Sequence, residues 1–275
     1  MSTYQELLQT AREKLKQQEI ADADVDAWYL LAHVFNIKRT QLLLHKDEPA
    51  PEKERLNFLF LVDERAKHIP LQHLIGTQEF MGIEFEVNSD VLIPRQDTET
   101  LVEEVLKVCE DKSVLDMCTG SGCIIISLAK LCKLKRAVGV DISEKALLVA
   151  SRNATKNDVN IEYINSNLFE QVEGSYDIIV SNPPYIPTDE IDTLMPEVRS
   201  HEPILALDGS GDGLEFYHRI ASEAKMYLNE NGYIFFEIGH NQGEDVEKIL
   251  INAGFVDVQV KKDLSGLDRV VSAKR

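Results

Sequence analysis

Up to about residue 70 the apolar positions recur only at helical spacing. Tyr4, Leu7, Leu8, Ala11 and Leu15 form one stripe, and Asp22 or Asp24 can cap a second helix through Trp28, Leu31, Ala32 and Phe35. RTQLLLH is a third short stretch, and Pro51 stands near the first turn of a fourth helix running to His68. The period then changes. Residues 74 to 93 alternate loosely through Phe80, Ile83, Phe85, Val87, Val91 and Ile93, with Gly76 and Gly82 as breakers, which predicts a short β-hairpin. From about residue 97 short apolar runs alternate with amphipathic ones. The strands are SVLDM (113–117), AVGVD (137–141), IEYI (161–164), YDIIVS (176–181) and YIFFEIG (233–239), with helices between them. FVDVQVKKD and DRVVSAKR form an antiparallel finish. Such alternation predicts an α/β fold, a doubly wound and mostly parallel sheet. The expected organisation is a small all-helical domain over 1–70, a β-hairpin linker over 71–93 and the α/β domain over 94–275. The helical part is either a substrate-holding module or a structural cap.

Composition narrows the setting. Apolar residues make up 44%, and 47 Asp and Glu stand against 29 Lys and Arg, for a net charge of −18. That field opposes attachment to phosphate backbones and anionic lipid, so neither stable nucleic-acid binding nor membrane binding is expected. The N-terminal stretch lacks an apolar core of the signal-peptide kind, and no apolar run is long enough to span a bilayer. Cys109, Cys118, Cys123 and Cys132 make no C-x-x-C pair and the histidines are scattered, so no metal site is expected. Reduced thiols in a cytoplasmic protein are the better reading.

The strand SVLDM runs into Cys118-Thr119-Gly120-Ser121-Gly122 ahead of a helix. Glycines let the backbone approach a ligand, and a helix N-terminus offers unpaired N–H groups. A dinucleotide fingerprint would need a third glycine where Ile125 stands, and no Gly-Lys-Ser/Thr marks a P-loop. Asp141 ends the next strand, where an acidic residue accepts from ribose hydroxyls; capping the following helix is its structural alternative, for which Ser143 competes. Adenosine without pyrophosphate points to S-adenosyl-L-methionine. Asp116 either meets the charged methionine end or orders the loop.

The second candidate site is Asn182-Pro183-Pro184-Tyr185, at the end of YDIIVS. Crossover rules put this strand beside SVLDM, with both opening at one switch point. The prolines fix φ and remove N–H donors, leaving the Asn182 side-chain oxygen and the Pro183 carbonyl as acceptors. Two acceptors at a fixed separation suit a planar NH₂ group and orient its nitrogen for methyl transfer, while Tyr185 flanks the flat group. The structural alternative is a plain Asn-Pro-Pro turn with Tyr185 in the core.

Several segments, in order, resemble the release-factor glutamine N5-methyltransferases of the HemK/PrmC type: Val91-Leu92-Ile93-Pro94-Arg95-Gln96-Asp97-Thr98-Glu99, LDMCTGSG, GVDIS with KALLVASRNA, DIIVSNPPYI, EVRSHEP with LALDGSGDGLEFY, FFEIG with Gln242, and KDLSGLDRVV. The resemblance implies a Rossmann-like methyltransferase sheet with an antiparallel last strand. It also implies methyl transfer to the glutamine of the Gly-Gly-Gln loop of peptide-chain release factors, by a monomer with S-adenosyl-L-homocysteine as coproduct. Cofactor contacts then fall on Cys118, Thr119, Gly120, Ser121, Gly122, Asp141, Asn167, Leu168 and Asn182, and substrate contacts on Asn182, Pro183, Pro184 and Tyr185. The chain departs from the family pattern at Gln96 (usually Pro), Asp97 (Glu), Cys118 (Gly), Asn167 (Asp) and Leu168 (an aromatic). Cys118 must avoid positive φ or tolerate strain. Asn167 can still accept from an adenine amino group, without the charge. An RNA or DNA exocyclic-amine methyltransferase is the alternative, since NPPY serves that chemistry too, and a non-catalytic S-adenosylmethionine-binding scaffold is a third reading.

Overall fold

The first helix begins where the residues dictate. Thr3 accepts from the Glu6 N–H at 3.2 Å and Glu6 returns a bond to the Thr3 N–H at 2.9 Å, a reciprocal cap that satisfies two orphan donors. The computed structural model describes residues 2–275 and divides the chain into two compact units. The first runs to Gly76 and includes Met195–His201. It contains α1 (Tyr4–Gln17), α2 (Ala23–Phe35), α3 (Arg39–His45), α4 (Glu52–Arg65) and α5 (Leu71–Ile75). Leu7, Leu8, Ala11 and Leu15 of the α1 stripe are buried against Ala27, Leu30, Leu31, Phe58 and Val62.

Under this core lies a buried ionic knot. Arg65 donates from Nε to Asp26 at 2.7 Å, from Nη1 to the Ile69 carbonyl at 3.3 Å and from Nη2 to Glu197 at 3.0 Å. His68 Nδ1 lies 3.1 Å from the same Glu197 oxygen. Burial raises the Asp26 carboxyl despite Arg65. Burial also opposes the charge on Glu197, but its backbone, His68 and Arg65 outweigh it and hold the group low.

The second unit comprises Thr77–Leu194 and Glu202–Arg275. It opens with the hairpin β1 (Thr77–Phe80) and β2 (Ile83–Glu86), followed by α6 (Glu99–Leu106), β3 (Ser113–Met117), α7 (Cys123–Leu131), β4 (Arg136–Asp141), α8 (Glu144–Lys156), β5 (Glu162–Asn165) and β6 (Tyr176–Ser181). After the six-residue helix α9 (Pro196–His201), which belongs to the first unit, come α10 (Glu215–Tyr227), β7 (Leu228–Glu237), α11 (Gly243–Asn252), β8 (Val256–Lys262) and β9 (Asp268–Lys274). Seven strands form one sheet in the order β5-β4-β3-β6-β7-β9-β8. β9 runs antiparallel to both β7 and β8, and the other pairings are parallel. The chain steps outward from β3 to β5 and then crosses back to β6, so the switch point lies between β3 and β6.

Three features depart from the pattern-based organisation. Residues 71–75, expected in the hairpin linker, are helical, and Gly76 ends that helix in the left-handed region. The hairpin is packed, not a spacer: Phe80 and Phe85 sit in the core of the second unit beside Leu101, Val105 and Ile126. Buried Asn153 fastens it, accepting from the Glu86 N–H and donating to the carbonyls of Glu86 and Ser121. The segment 87–93 forms no strand; Val87 and Val91 pack on Ala146 and Val149 instead. Among the described residues no helix is long and apolar enough to cross a membrane, and no group of His, Cys, Asp and Glu is arranged to hold a metal. All four cysteines are free thiols.

Replacing Arg65 by methionine keeps the volume but strands the carboxylates of Asp26 and Glu197. The expected loss is about 3–5 kcal/mol at neutral pH, the scale for removing one partner of a buried pair. Urea unfolding of the two proteins measures it.

Candidate functional site

The register of two strands builds the site. Met117 of β3 pairs with Ser181 of β6, and Ser181 Oγ donates to the Met117 carbonyl at 2.6 Å. The next residues, Cys118 and Asn182, therefore leave the sheet side by side at the switch point.

The loop after β3 holds three left-handed residues in five positions: Cys118 (φ 63°), Gly120 (φ 55°) and Gly122 (φ 79°). Cys118 thus tolerates the strain. Its neighbours over-determine the conformation. Thr119 N–H donates to the Val140 carbonyl at 2.9 Å, Gly122 N–H to the Thr119 carbonyl at 2.8 Å, and Gly120 N–H to Asp141 Oδ2 at 2.8 Å. Gly122 disfavours a side chain, since at φ 79° a Cβ is strained and would stand 3.2 Å from Ala150 Cβ and 2.8 Å from Ile126 Cδ1. Asp141 Oδ1 accepts from the Ser143 N–H at 2.9 Å, while Ser143 Oγ caps α8. Asp141 thus braces the loop, and each oxygen retains a lone pair for a ligand hydroxyl. Burial raises its carboxyl, against the pull of those N–H groups.

Asp116 takes the second of its two expected roles. It is fully buried, accepts from Thr119 Oγ1 at 2.6 Å and lies behind the loop, outside the cavity. Burial pushes it up to about 7.

In front of these strand ends lies a cavity of about 300 Å³. It is lined by Cys118, Thr119, Gly120, Ser121, Asp141, Asn167, Leu168, Asn182 and Pro184, all singled out from the sequence. Gly122, Pro183 and Tyr185 do not line it. Gly122 turns inward under α7, and Pro183 is buried. The Tyr185 side chain packs on the core around Tyr217 and Phe236, where burial raises its phenol; it flanks nothing within this cavity. Asn167 is held by two partners, and its oxygen keeps one lone pair. Its Oδ1 accepts from Arg219 Nη2 at 2.8 Å and its amide donates to Glu170 at 2.6 Å.

The remaining lining comes from residues without an assigned role in the sequence, among them Val91, Pro94, Arg95, Thr98, Phe216 and Arg219. The mixture suits an adenosine-type group: apolar surface for a flat base, the Asp141 carboxylate at a strand end for hydroxyls, and no phosphate cradle, since Ile125 is buried where a third glycine would be.

The proline turn is held from behind. Asn182 Nδ2 donates to Thr98 Oγ1 at 3.3 Å. Gln242 Nε2 donates to the Tyr185 carbonyl at 3.0 Å and to the Gly213 carbonyl at 3.3 Å, while its Oε1 accepts from the Gly239 N–H at 2.9 Å. Gly213 must lack a side chain because a Cβ would lie 2.3 Å from the Tyr185 oxygen. Downstream of NPPY, Glu197 joins the Arg65 knot and buried Glu202 pairs with Arg95.

A parallel sheet with this order, opening at its switch point onto a glycine loop, an acidic strand end and NPPY, defines a methyltransferase. Solved structures share the fold. A methyltransferase from Pyrococcus furiosus aligns with a TM-score of 0.53 at 17% identity, over 82% of this chain and 98% of its own. A ribosomal protein L11 methylase from Lactobacillus delbrueckii subsp. bulgaricus aligns with a TM-score of 0.51 at 21% identity, over 66% and 80%. Residues 6–76 match the PrmC N-terminal domain and residues 95–197 the methyltransferase small domain. The chain is 40% identical to the release factor glutamine methyltransferase of Geobacter sulfurreducens over 99% of its own length and 96% of the relative's. It is 39% identical to that of Agrobacterium fabrum over 96% and 95%. The chain belongs to the release factor glutamine methyltransferase family.

Asp116 makes stability fall with pH. Its folded-state value, about 7, lies above its ordinary 3.8, so its contribution is whole below about 4 and is lost as pH rises through 7. Asp116→Asn keeps an acceptor for Thr119 and should show a shallower fall between pH 4 and 8, measured by urea unfolding across that range.

Proposed function

We propose that this enzyme transfers the methyl group of S-adenosyl-L-methionine to the side-chain amide nitrogen of the glutamine in the Gly-Gly-Gln loop of peptide-chain release factors. The observation that carries the reading is the Met117–Ser181 register, which sets the glycine loop and Asn182 on one cavity. The near-full-length likeness to release factor glutamine methyltransferases supports the substrate.

When bound, S-adenosyl-L-methionine supplies a methyl carbon on a positively charged sulfur, a leaving group that departs neutral. The backbone of Cys118–Ser121 and the Asp141 carboxylate hold the nucleoside end; Asn167, Leu168 and Phe216 complete its wall. Asn182 Oδ1, at the cavity wall, accepts one hydrogen of the substrate amide, and the carbonyl of Pro183, a residue buried outside that wall, accepts the other where the substrate reaches past it. An amide nitrogen is a poor nucleophile because its lone pair is delocalised into the carbonyl. Fixing both hydrogens orients the nitrogen and stabilises the positive charge that grows on its N–H bonds as the new C–N bond forms. The methylated nitrogen then releases a proton to solvent, so no strong base is required. With NPPY's two prolines, no N–H donor from those positions competes for the amide.

On this reading the helical unit holds the release factor, and the enzyme works as a cytoplasmic monomer. Nucleic acid is disfavoured as substrate by the net charge of −18.

Reaction with labelled cofactor and purified release factor, followed by mass analysis of the Gly-Gly-Gln peptide, should show one added methyl group on the glutamine. A methyl group elsewhere, or label entering RNA in preference to the release factor, overturns the proposal. Asn182→Ala should lower kcat by about 10²–10³ while leaving cofactor affinity nearly intact, the scale of one preorganised polar contact.

A further inference from the structure

Asn182 can act as an acceptor only if its carboxamide presents oxygen to the cavity. Thr98 does not decide this, because a hydroxyl donates and accepts equally well. The residue beside it does. Ser181 of β6 pairs with Phe236 of β7, so Asn182 leaves the sheet next to Glu237, the last residue of β7. Glu237 is 1% exposed, and its Oε2 has no hydrogen-bond partner. An ionised carboxylate only accepts. The NH₂ end of the Asn182 amide must therefore turn toward Glu237 and Thr98, and the oxygen toward the opposite side.

We infer that Glu237 is a positioning residue that fixes the face of the Asn182 amide and so sets the acceptor geometry at the cavity. The inference rests on the reading of Asn182 as the group that grips the substrate amide. Thr98, Arg269 and Asn182, in that order, act favourably on the buried charge of Glu237; Arg269, on β9, is itself paired at 3.1 Å with Asp97 and with Asp263. The other titratable groups around Glu237 are Asp97 before α6, Cys123 on α7, Tyr185 in the proline turn and Tyr217 on α10, whose hydroxyl donates to the Glu237 backbone carbonyl. Burial raises Glu237 to about 7. Below that value the carboxyl carries a proton and can donate, and the preference for one amide face weakens.

The test is a double-mutant cycle with release factor and S-adenosyl-L-methionine. Glu237→Gln should lower kcat about tenfold, the scale of one charge-assisted hydrogen bond, with cofactor Kd unchanged. In an Asn182→Ala background it should cost nothing more, which a merely structural role would not produce. Full turnover by Asn182→Ala overturns the reading of the site and this inference with it. A slow Asn182→Ala beside a full-speed Glu237→Gln, or losses that multiply in the double variant, overturns the role of Glu237 alone. If Glu237→Gln fails to bind cofactor, the pH profiles of the wild type and Asn182→Ala decide. A rise in kcat through about pH 7 that Asn182→Ala lacks supports the inference, and profiles of the same shape overturn it.

Discussion

The pairing of Met117 with Ser181 is the constraint on which the site depends. A parallel register cannot slip by one residue without turning every side chain of the strand to the other face of the sheet. Val114, Leu115, Ile178, Ile179 and Val180 are all fully buried, so both faces of these strands are closely packed and a slip would have to repack both at once. The same register fixes β7, because Ser181 also lies opposite Phe236. Three strand ends thus deliver Cys118, Asn182 and Glu237 to adjacent places. Hydrophobic burial within the sheet locates polar groups at its edge to within a hydrogen bond.

An acidic protein is expected to keep its carboxylates in water, yet this one buries Asp116 and Glu237 and half-buries Asp141 around a single cavity. They do different work because their partners differ. Asp141 receives two backbone N–H groups and stays at the wall as a brace for the glycine loop. Asp116 receives one hydroxyl and sits behind the loop. Glu237 has a cation nearby and, like Asp116, one oxygen without a partner. Desolvation raises all three, so their contribution favours the folded chain more at acid pH than at alkaline pH. A site that needs acceptors lowers the stability of the protein that carries it.

What the sequence disclosed followed from local signals. SVLDM and YDIIVS are strands within the bounds read from the residues, because a strand covered on both faces is a continuous apolar run. The glycine loop and Asn-Pro-Pro announce themselves through backbone chemistry that few other residues supply. What stayed hidden depends on partners distant in the chain. Arg219 takes the Asn167 oxygen from 52 positions away, and Thr98 meets Asn182 from 84. Glu237 is inconspicuous inside FFEIG until β7 is known to lie beside β6. The Tyr185 ring was expected at the substrate and is half-buried against the core, outside the cavity, because an aromatic after a strand carries no mark of the side to which it turns. Helix α5 was missed because five residues are too few to show a period.

The rigid turn also explains why so much structure stands behind four residues. The prolines fix φ at two positions, but φ alone does not set where the turn as a whole points. That requires holding it at both ends. At its start, Ser181 is bonded to β3 and Asn182 to Thr98. At its end, the Tyr185 carbonyl is taken by Gln242, Ile186 exchanges backbone bonds with Leu207 and Gly209, and Gly213 is kept small by the contact with Tyr185. Every one of these bonds is internal to the chain and needs no ligand to complete it. Acceptors held in this way need no reorganisation as charge develops on a substrate nitrogen, and that saving is the part of the barrier a rigid protein can remove.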